Sequence, residues 1–251
     1  MRGAVPRQGR YDDLVSAGTA LVRVDASLRF LLGVRHRHGE VDVPVDGVSS
    51  VQHIVESLGI PRTEIGGLRV GGRPVSPADR PDPGDVVDVL PVPRPQPVAY
   101  RRFVLDVHLG TLARRMRLLG IDTAYRNAAQ DVELVDQAAA ERRVVLTQDR
   151  GLLRRRALTV GAYVRGSRPD EQLADVLHRF DPPLSPWSRC VACNGELEPV
   201  AKQQIQHLLR PGTRRSYTRF SRCRACGHLY WPGAHVQRLQ AIVDRSTHDP
   251  T

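Results

Sequence analysis

The sequence predicts an α/β protein. Its central part reads as an α/β sandwich with a mainly parallel sheet, preceded by a small α+β module and followed by a four-cysteine metal module. Three observations carry this reading. Short apolar runs, F-V-L at 103–105 and V-V-L-T at 144–147, alternate with helix-patterned segments, as buried parallel strands do when helices join them. Two proline clusters, P-V-P-R-P-Q-P-V from Pro91 and D-P-P-L-S-P-W from Asp181, divide the chain, because such stretches continue neither a helix nor a central strand. All four cysteines follow the second cluster, in two C-x-x-C pairs.

In chain order, residues 1–19 carry no clear pattern. Ala20 to Leu32 reads as a strand, Gly39 to Val45 as its hairpin partner in V-D-V-P-V, Ser49 to Leu58 as a helix, and Leu68 to Val70 and Val86 to Leu90 as two further strands. The order β-β-α-β-β over 20–92 fits a β-grasp in which one helix covers a sheet face. Gly66-Gly67 and Gly71-Gly72 read as turn glycines. Residues 93–99 form a stiff linker. Over 100–181 the pattern is a strand to Asp106, a basic helix from Leu109 to Leu119, a short strand near Thr123 to Tyr125, and a helix from Asp131. A strand to Thr147, another near Ala162 to Val164, and a last helix complete it. The cysteine module spans 186–235, and 236–251 is a tail.

A formal net charge of +10, much of it arginine, favours a polyanionic partner. No apolar stretch approaches the roughly 20 residues that cross a bilayer, so no membrane role is expected. The start MRGAVPRQGR is followed by polar YDDLVSAG rather than a signal-peptide core. Paired C-x-x-C spacing favours metal over disulfides, which points to a reducing cytoplasm.

Asp106 and Asp149 each end an apolar strand, which delivers carboxylates to the carboxyl edge of a parallel sheet, where α/β proteins build sites. Asp131 begins the helix feeding the Val144 to Thr147 strand, whereas Asp136 is assigned to that helix's solvated face. Three carboxylates from separate elements would hold a hard divalent cation through oxygen. With Arg114, Arg115 and Arg117 on the intervening helix, the combination points to phosphodiester chemistry. An Asp after a strand also serves as a helix N-cap, and that reading stands beside the first, most of all for Asp131.

Cys190, Cys193, Cys223 and Cys226 form two knuckles able to bring four thiolates to one tetrahedral ion, with zinc expected; a rubredoxin-like iron centre has the same ligand set. His228 and His235 would serve only if a cysteine failed. Tyr217, Phe220, Tyr230 and Trp231 interleave with Arg214, Arg215, Arg219, Arg222 and Arg224. They would stack bases beside phosphate contacts or fill a small core, the second reading being preferred for Tyr230 and Trp231.

The residues F-V-L-D-V-H-L-G-T-L-A-R-R-M-R-L-L-G-I-D-T, then D-V-E-L-V, then R-R-V-V-L-T-Q-D-R-G-L-L closely resemble the PIN-like ribonuclease family named for the C-terminal part of the Mut-seven exonuclease. R-C-V-A-C-N-G-E-L-E with F-S-R-C-R-A-C-G-H resembles the zinc ribbon found with that family. The phrase L-G-I-P-R-T-E-I-G-G-L-R-V-G-G-R-P-V-S-P-A-D-R-P-D-P-G-D-V-V-D-V-L-P resembles the ThiS/MoaD and ubiquitin-like group. The resemblance implies a PIN-like α/β/α sandwich cleaving single-stranded RNA with Mg2+ or Mn2+. By position Asp106 is its first-strand carboxylate, Asp131 the helix-borne one and Asp149 the one after the third strand. Glu133 and Asp170 are possible further acids, Asp170 also reading as a helix cap.

Arg114, Arg117 and Arg150 become candidates for substrate phosphate; Arg114 and Arg117 share a helix face, while Arg115 points elsewhere. Arg154, Arg155 and Arg156 read as a solvated basic face, and His108 as an ordinary histidine. The grasp module lacks a free C-terminal Gly-Gly because the chain continues, so docking to a protein partner or a folding role is expected rather than sulfur transfer. The alternative to the enzyme is a non-catalytic RNA-binding or translation-associated module whose carboxylates only cap helices.

Overall fold

The computed structural model describes residues 18–232 together with 241 and 244. Residues 1–17, His235 and the tail from 236, apart from 241 and 244, lie outside the described residues. The chain divides into two compact units, Met1–Pro91 and Val92–Thr251.

In the first unit β1 (Thr19–Val24), β2 (Glu40–Pro44), α1 (Val51–Ser57), β3 (Ile65–Val70), β4 (Arg73–Pro74) and β5 (Val86–Pro91) form a five-stranded sheet and one helix. The strand order is β2-β1-β5-β3-β4, with β1 and β5 parallel at the centre. Pro44 is tolerated because β2 is an edge. Ser50 caps α1 by accepting from the backbone N–H of His53, and the helix buries Val51, Ile54 and Val55 at one-face spacing.

Two expectations change here. The first strand stops at Val24 rather than Leu32, because the Asp25 carboxylate accepts from the Ser27 N–H and starts a 3-10 turn, Ala26–Leu31, that buries Leu28 and Leu31. Gly66 and Gly67 lie within β3 at a bulge and not in a turn, whereas Gly71 and Gly72 do turn the chain, with φ of 54° and 80°.

The second unit begins with β6 (Phe103–Leu105), α2 (Gly110–Leu118), β7 (Thr123–Tyr125) and α3 (Asp131–Glu141). It continues through β8 (Val144–Thr147), α4 (Arg150–Leu153), β9 (Gly161–Tyr163) and α5 (Pro169–Phe180). The sheet order is β7-β6-β8-β9 and every pairing is parallel. Every residue of β6 and β8 is buried, as a sheet covered on both faces requires. Successive side chains go to opposite faces. Phe103, Leu105, Val144 and Leu146 pack with Leu112 and Met116 of α2 and Leu173, Val176 and Phe180 of α5. Val104 and Val145 pack with Leu134, Val135 and Ala138 of α3 and Leu152 and Leu153 of α4. The result is the expected α/β/α sandwich.

The remainder of this unit is β10 (Leu197–Val200), α6 (Lys202–Ile205), α7 (Pro211–Ser216), β11 (Phe220–Cys223) and β12 (Leu229–Tyr230), with a three-stranded antiparallel sheet β10-β11-β12. Both proline clusters make contacts with the sandwich. Arg94 pairs with Asp175 of α5 at 2.7 Å, and Gln96 exchanges hydrogen bonds with Arg179. At the second cluster, the backbone N–H groups of Ser185 and Trp187 donate to the last carbonyls of α2, those of Leu119 and Leu118. Gly120 permits this approach. Its φ is 81°, and a Cβ there would lie 2.0 Å from the Ser185 carbonyl oxygen.

Leu146 is fully buried in β8. Leu146→Ala is expected to cost about 2–5 kcal/mol in a urea melt, the range for leucine truncation in a packed core; a loss below about 1 kcal/mol would contradict the packing described.

Candidate active site and metal centre

β6 leads through α2 to β7 on one side, and α3 then carries the chain back across β6 to β8 on the other. The carboxyl ends of β6 and β8 therefore flank the point where the strand order reverses, the crevice in which open α/β sheets bind ligands. Asp106 follows β6 there. Its backbone N–H extends the ladder to the Leu146 carbonyl at 3.0 Å. One carboxylate oxygen accepts from the Val107 N–H at 2.5 Å and the other from the Thr147 hydroxyl at 2.7 Å. The Thr147 hydroxyl in turn accepts from the Asp149 N–H at 2.8 Å, so this buried side chain joins the two acids. Asp149 is exposed and caps α4 through the Gly151 N–H at 2.6 Å. Each of these carboxylates thus serves as a local cap while standing at the sheet edge.

Asp131 is the first residue of α3, after the N-cap Gln130, and pairs with Arg155 at 2.9 Å. Among the described residues no three carboxylates gather within 4.8 Å of one another, so Asp131 stands at the same edge by topology without closing a tight triad. Glu133 accepts from the Gln130 N–H at 3.0 Å and lies 3.5 Å from Arg126; it orders the start of α3. Asp170, in the first turn of α5, pairs with Arg115. His108 is exposed in the turn after Asp106. Tyr125 spends its hydroxyl on the Val107 carbonyl at 2.9 Å.

Arg114 and Arg150 are exposed. Arg117 overturns the expectation that placed it with them: only 3% exposed, it donates to the carbonyls of Thr123 at 2.8 Å, Val191 at 3.1 Å and Ala192 at 2.8 Å. Burial lowers its guanidinium pKa. Its role is to hold the first cysteine knuckle onto β7. Periodicity groups Arg114 with Arg117, but a helix face is shared only until another element covers part of it.

The four cysteine sulfurs lie within 4.8 Å of one another. Cys190 and Cys226 are 3.7 Å apart and Cys193 and Cys223 3.5 Å, near the about 3.8 Å that separates thiolates on a tetrahedral zinc ion. The donor set therefore fits a four-coordinate metal. At Cys190 burial opposes ionisation, but the Tyr230 hydroxyl, 3.1 Å away, and the N–H groups of Cys193 and Ala192 outweigh it and bring the thiol down to about 7. Burial and the neighbouring sulfurs push Cys193 up to about 12. Four thiols this close cannot all ionise without a cation among them.

The residue after each knuckle adopts the left-handed conformation, Asn194 with φ 70° and Gly227 with φ 73°. Asparagine in place of glycine adds a side chain, and sequence reasoning missed its use. Asn194 accepts from the Thr123 N–H at 2.9 Å and donates to Asp122 at 2.8 Å. Asp122 also pairs with Arg143 at 2.6 Å, Arg102 at 3.3 Å and Arg189 at 3.4 Å. Asp122 and Thr123 lie at the amino end of β7, so the metal module is fastened to the edge opposite Asp106 and Asp149.

Phe220 is buried with Val200, Ile205 and Leu209, with Tyr217 and Leu229 packed alongside, and is closed to bases. Trp231 stays partly exposed, 6.4 Å between ring centroids from Phe220.

The family model described as Mut7-C RNAse domain matches residues 101–243, and that described as Mut7-C ubiquitin matches residues 17–97. Neither the curated proteins nor the solved structures contain a match to the chain.

Arg117→Ala removes hydrogen bonds to three carbonyls, of which that of Thr123 is buried, and is expected to cost about 2–3 kcal/mol in a thermal melt, whereas Arg114→Ala leaves the melting temperature in place. At Asp122 burial works against the charge, but hydrogen bonds from Arg143 and Asn194 outweigh it and hold the carboxyl below its usual 3.8. A carboxyl held lower in the folded chain contributes stability above its unfolded pKa and loses it as pH falls through the folded value. The difference in melting temperature between parent and Asp122→Asn should thus be full at pH 7 and close below about pH 4.

Proposed function

Because the chain belongs to the Mut7-C RNAse domain family, we propose that it is a metal-dependent ribonuclease that hydrolyses phosphodiester bonds of single-stranded RNA at the carboxyl edge of its parallel sheet. The observation that carries the reading is the Asp106–Thr147–Asp149 arrangement at the switch point of that sheet. No described helix is long and apolar enough to cross a membrane.

Asp106 and Asp149 would hold the Mg2+ or Mn2+ ion, with Asp131 completing the set once Arg155 is drawn toward substrate. The oxygen donors suit a hard cation. When bound, the ion polarises the phosphoryl oxygen and offsets charge on the leaving oxyanion. The chain's own part is orientation. Thr147 donates to Asp106, which leaves that carboxylate's remaining lone pairs for the ion, and fixes the Asp149 backbone beside it. Arg114 and Arg150, both exposed, would receive the flanking phosphates, and the planar guanidinium suits that task. Glu133 and Asp170 are left to their helix starts.

In this reading the cysteine module holds Zn2+ structurally, in a reducing cytoplasm that keeps its thiols available. The grasp unit serves as a docking module for a protein partner.

A second reading is favoured by the capping bonds of Asp106 and Asp149 and by the Arg155 pair of Asp131: a non-catalytic RNA-binding module in which these acids only order turns. Cleavage of end-labelled single-stranded RNA by chelator-treated protein, with Mg2+ or Mn2+ added back, separates the two. Parent protein should cleave on metal addition and Asp149→Asn should lose at least about a hundredfold in rate, comparable to losing a metal ligand's contribution of several kcal/mol. Equal trace cleavage by both proteins would sink the enzyme.

A further inference from the structure

No Asp or Glu occurs from Pro199 to Val243, although eight Lys or Arg residues do. Within this stretch α6, the following 3-10 turn Gln206–Leu208, and α7 form a small lobe inserted between β10 and β11. The lobe has its own apolar interior, Ile205 and Leu209 packed on Val200 and Phe220, so its outer face is carried on a fixed platform. The lobe and the segment that leads from it into β11 expose Arg210, Arg214, Arg215 and Arg219.

Several arginines elsewhere in the unit are matched with acids: Arg94 with Asp175, Arg115 with Asp170, Arg143 with Asp122. Even the two neighbouring arginines of the metal module, Arg222 and Arg224, occupy Glu198 and Glu196. The four lobe arginines have no carboxylate partner among the described residues. Beside Arg210 in sequence, Leu208 is 62% exposed, an apolar surface next to the cations.

We propose that this lobe is a second nucleic-acid contact surface, at which Arg210, Arg214, Arg215 and Arg219 hold the phosphodiester chain of RNA whose scissile bond lies at the carboxyl edge. The identity of the polyanion as RNA rests on the ribonuclease reading above. Arginines without a carboxylate partner, in a stretch of chain free of acids, create a positive potential that a polyanion relieves by releasing its counterions. Arginine suits the task because its fork meets phosphate oxygens two at a time. Leu208, two residues before Arg210 and 62% exposed, offers an apolar surface against which an unstacked base can lie. The metal module is fastened at the amino edge of the sheet, so the lobe extends the footprint beyond the site rather than duplicating it.

The test is fluorescence-anisotropy binding of a labelled single-stranded RNA of about 20 nucleotides, longer than the roughly 4–16 that one binding module covers. Full-length Asp149→Asn, which keeps the RNA intact, is compared over a salt series with the same chain carrying Ser at 210, 214, 215 and 219. Four phosphate contacts predict that the slope of log affinity against log salt falls by roughly 3, with binding at least about tenfold weaker at moderate salt. A variant with Lys at the four positions should keep the slope. If the Ser variant loses its metal or its melting transition, Arg214→Ser with Arg215→Ser carries the same test with an expected slope change of about 1.4.

Unchanged slope and affinity would overturn the proposal, as would a parent that binds anionic phospholipid vesicles but not RNA. Failure of the ribonuclease reading shows separately, as absent metal-restored cleavage with Asp149 in place; lobe-dependent RNA binding in that case leaves this surface standing.

Discussion

The side-by-side burial of two short parallel strands, β6 and β8, is the constraint on which the second unit depends. Their seven residues are all closed to solvent, so their backbone groups must pair with one another and their side chains must meet helices on both faces. Because side chains alternate, the same strands feed two separate apolar layers. Once Leu105 and Leu146 are in register, the next residues leave the sheet together. Asp106 and Thr147 then meet at hydrogen-bond distance without any further device.

The two ends of the sheet carry opposite chemistry. At the carboxyl edge Asp106 accepts from Val107 and Thr147, Asp131 pairs with Arg155, and Asp149 is open to solvent. At the amino edge Asp122 gathers Arg102, Arg143, Arg189 and Asn194, a network in which charge and hydrogen bonds are matched. A matched buried network rigidifies, whereas an unmatched exposed one is available to ligands. Three-residue strands separate these edges by about 10 Å. The ribbon-like module is thereby joined at the amino edge, opposite Asp106 and Asp149.

The same division runs through the arginines. Arg117 and Arg143 are consumed by carbonyls and carboxylates inside the unit, and Arg115 and Arg155 by acids across loops. Those at Arg210, Arg214, Arg215 and Arg219 and that at Arg114 face outward. A net charge of +10 thus understates how unevenly positive charge is offered to a partner.

Strands, helices and the four-cysteine set were legible because each depends on local pattern: apolar runs of three or four residues, helical spacing, and ligand pairs two residues apart. The chain by itself determined that Asp106 and Asp149 end parallel strands, and hence that they share an edge. Local pattern was insufficient where another contact, near or far along the chain, competes with it. Asp25 cuts an apolar run short through a side-chain bond, Glu133 caps the start of its own helix, and both proline clusters pack down on the sandwich. Only the tertiary structure decided that Arg117 is structural while Arg114 is not, that Thr147 links the two acids, and that Asn194 anchors the metal module to Asp122. Each of these depends on which surface another element covers, and no sequence period encodes what lies across a distance of tens of residues.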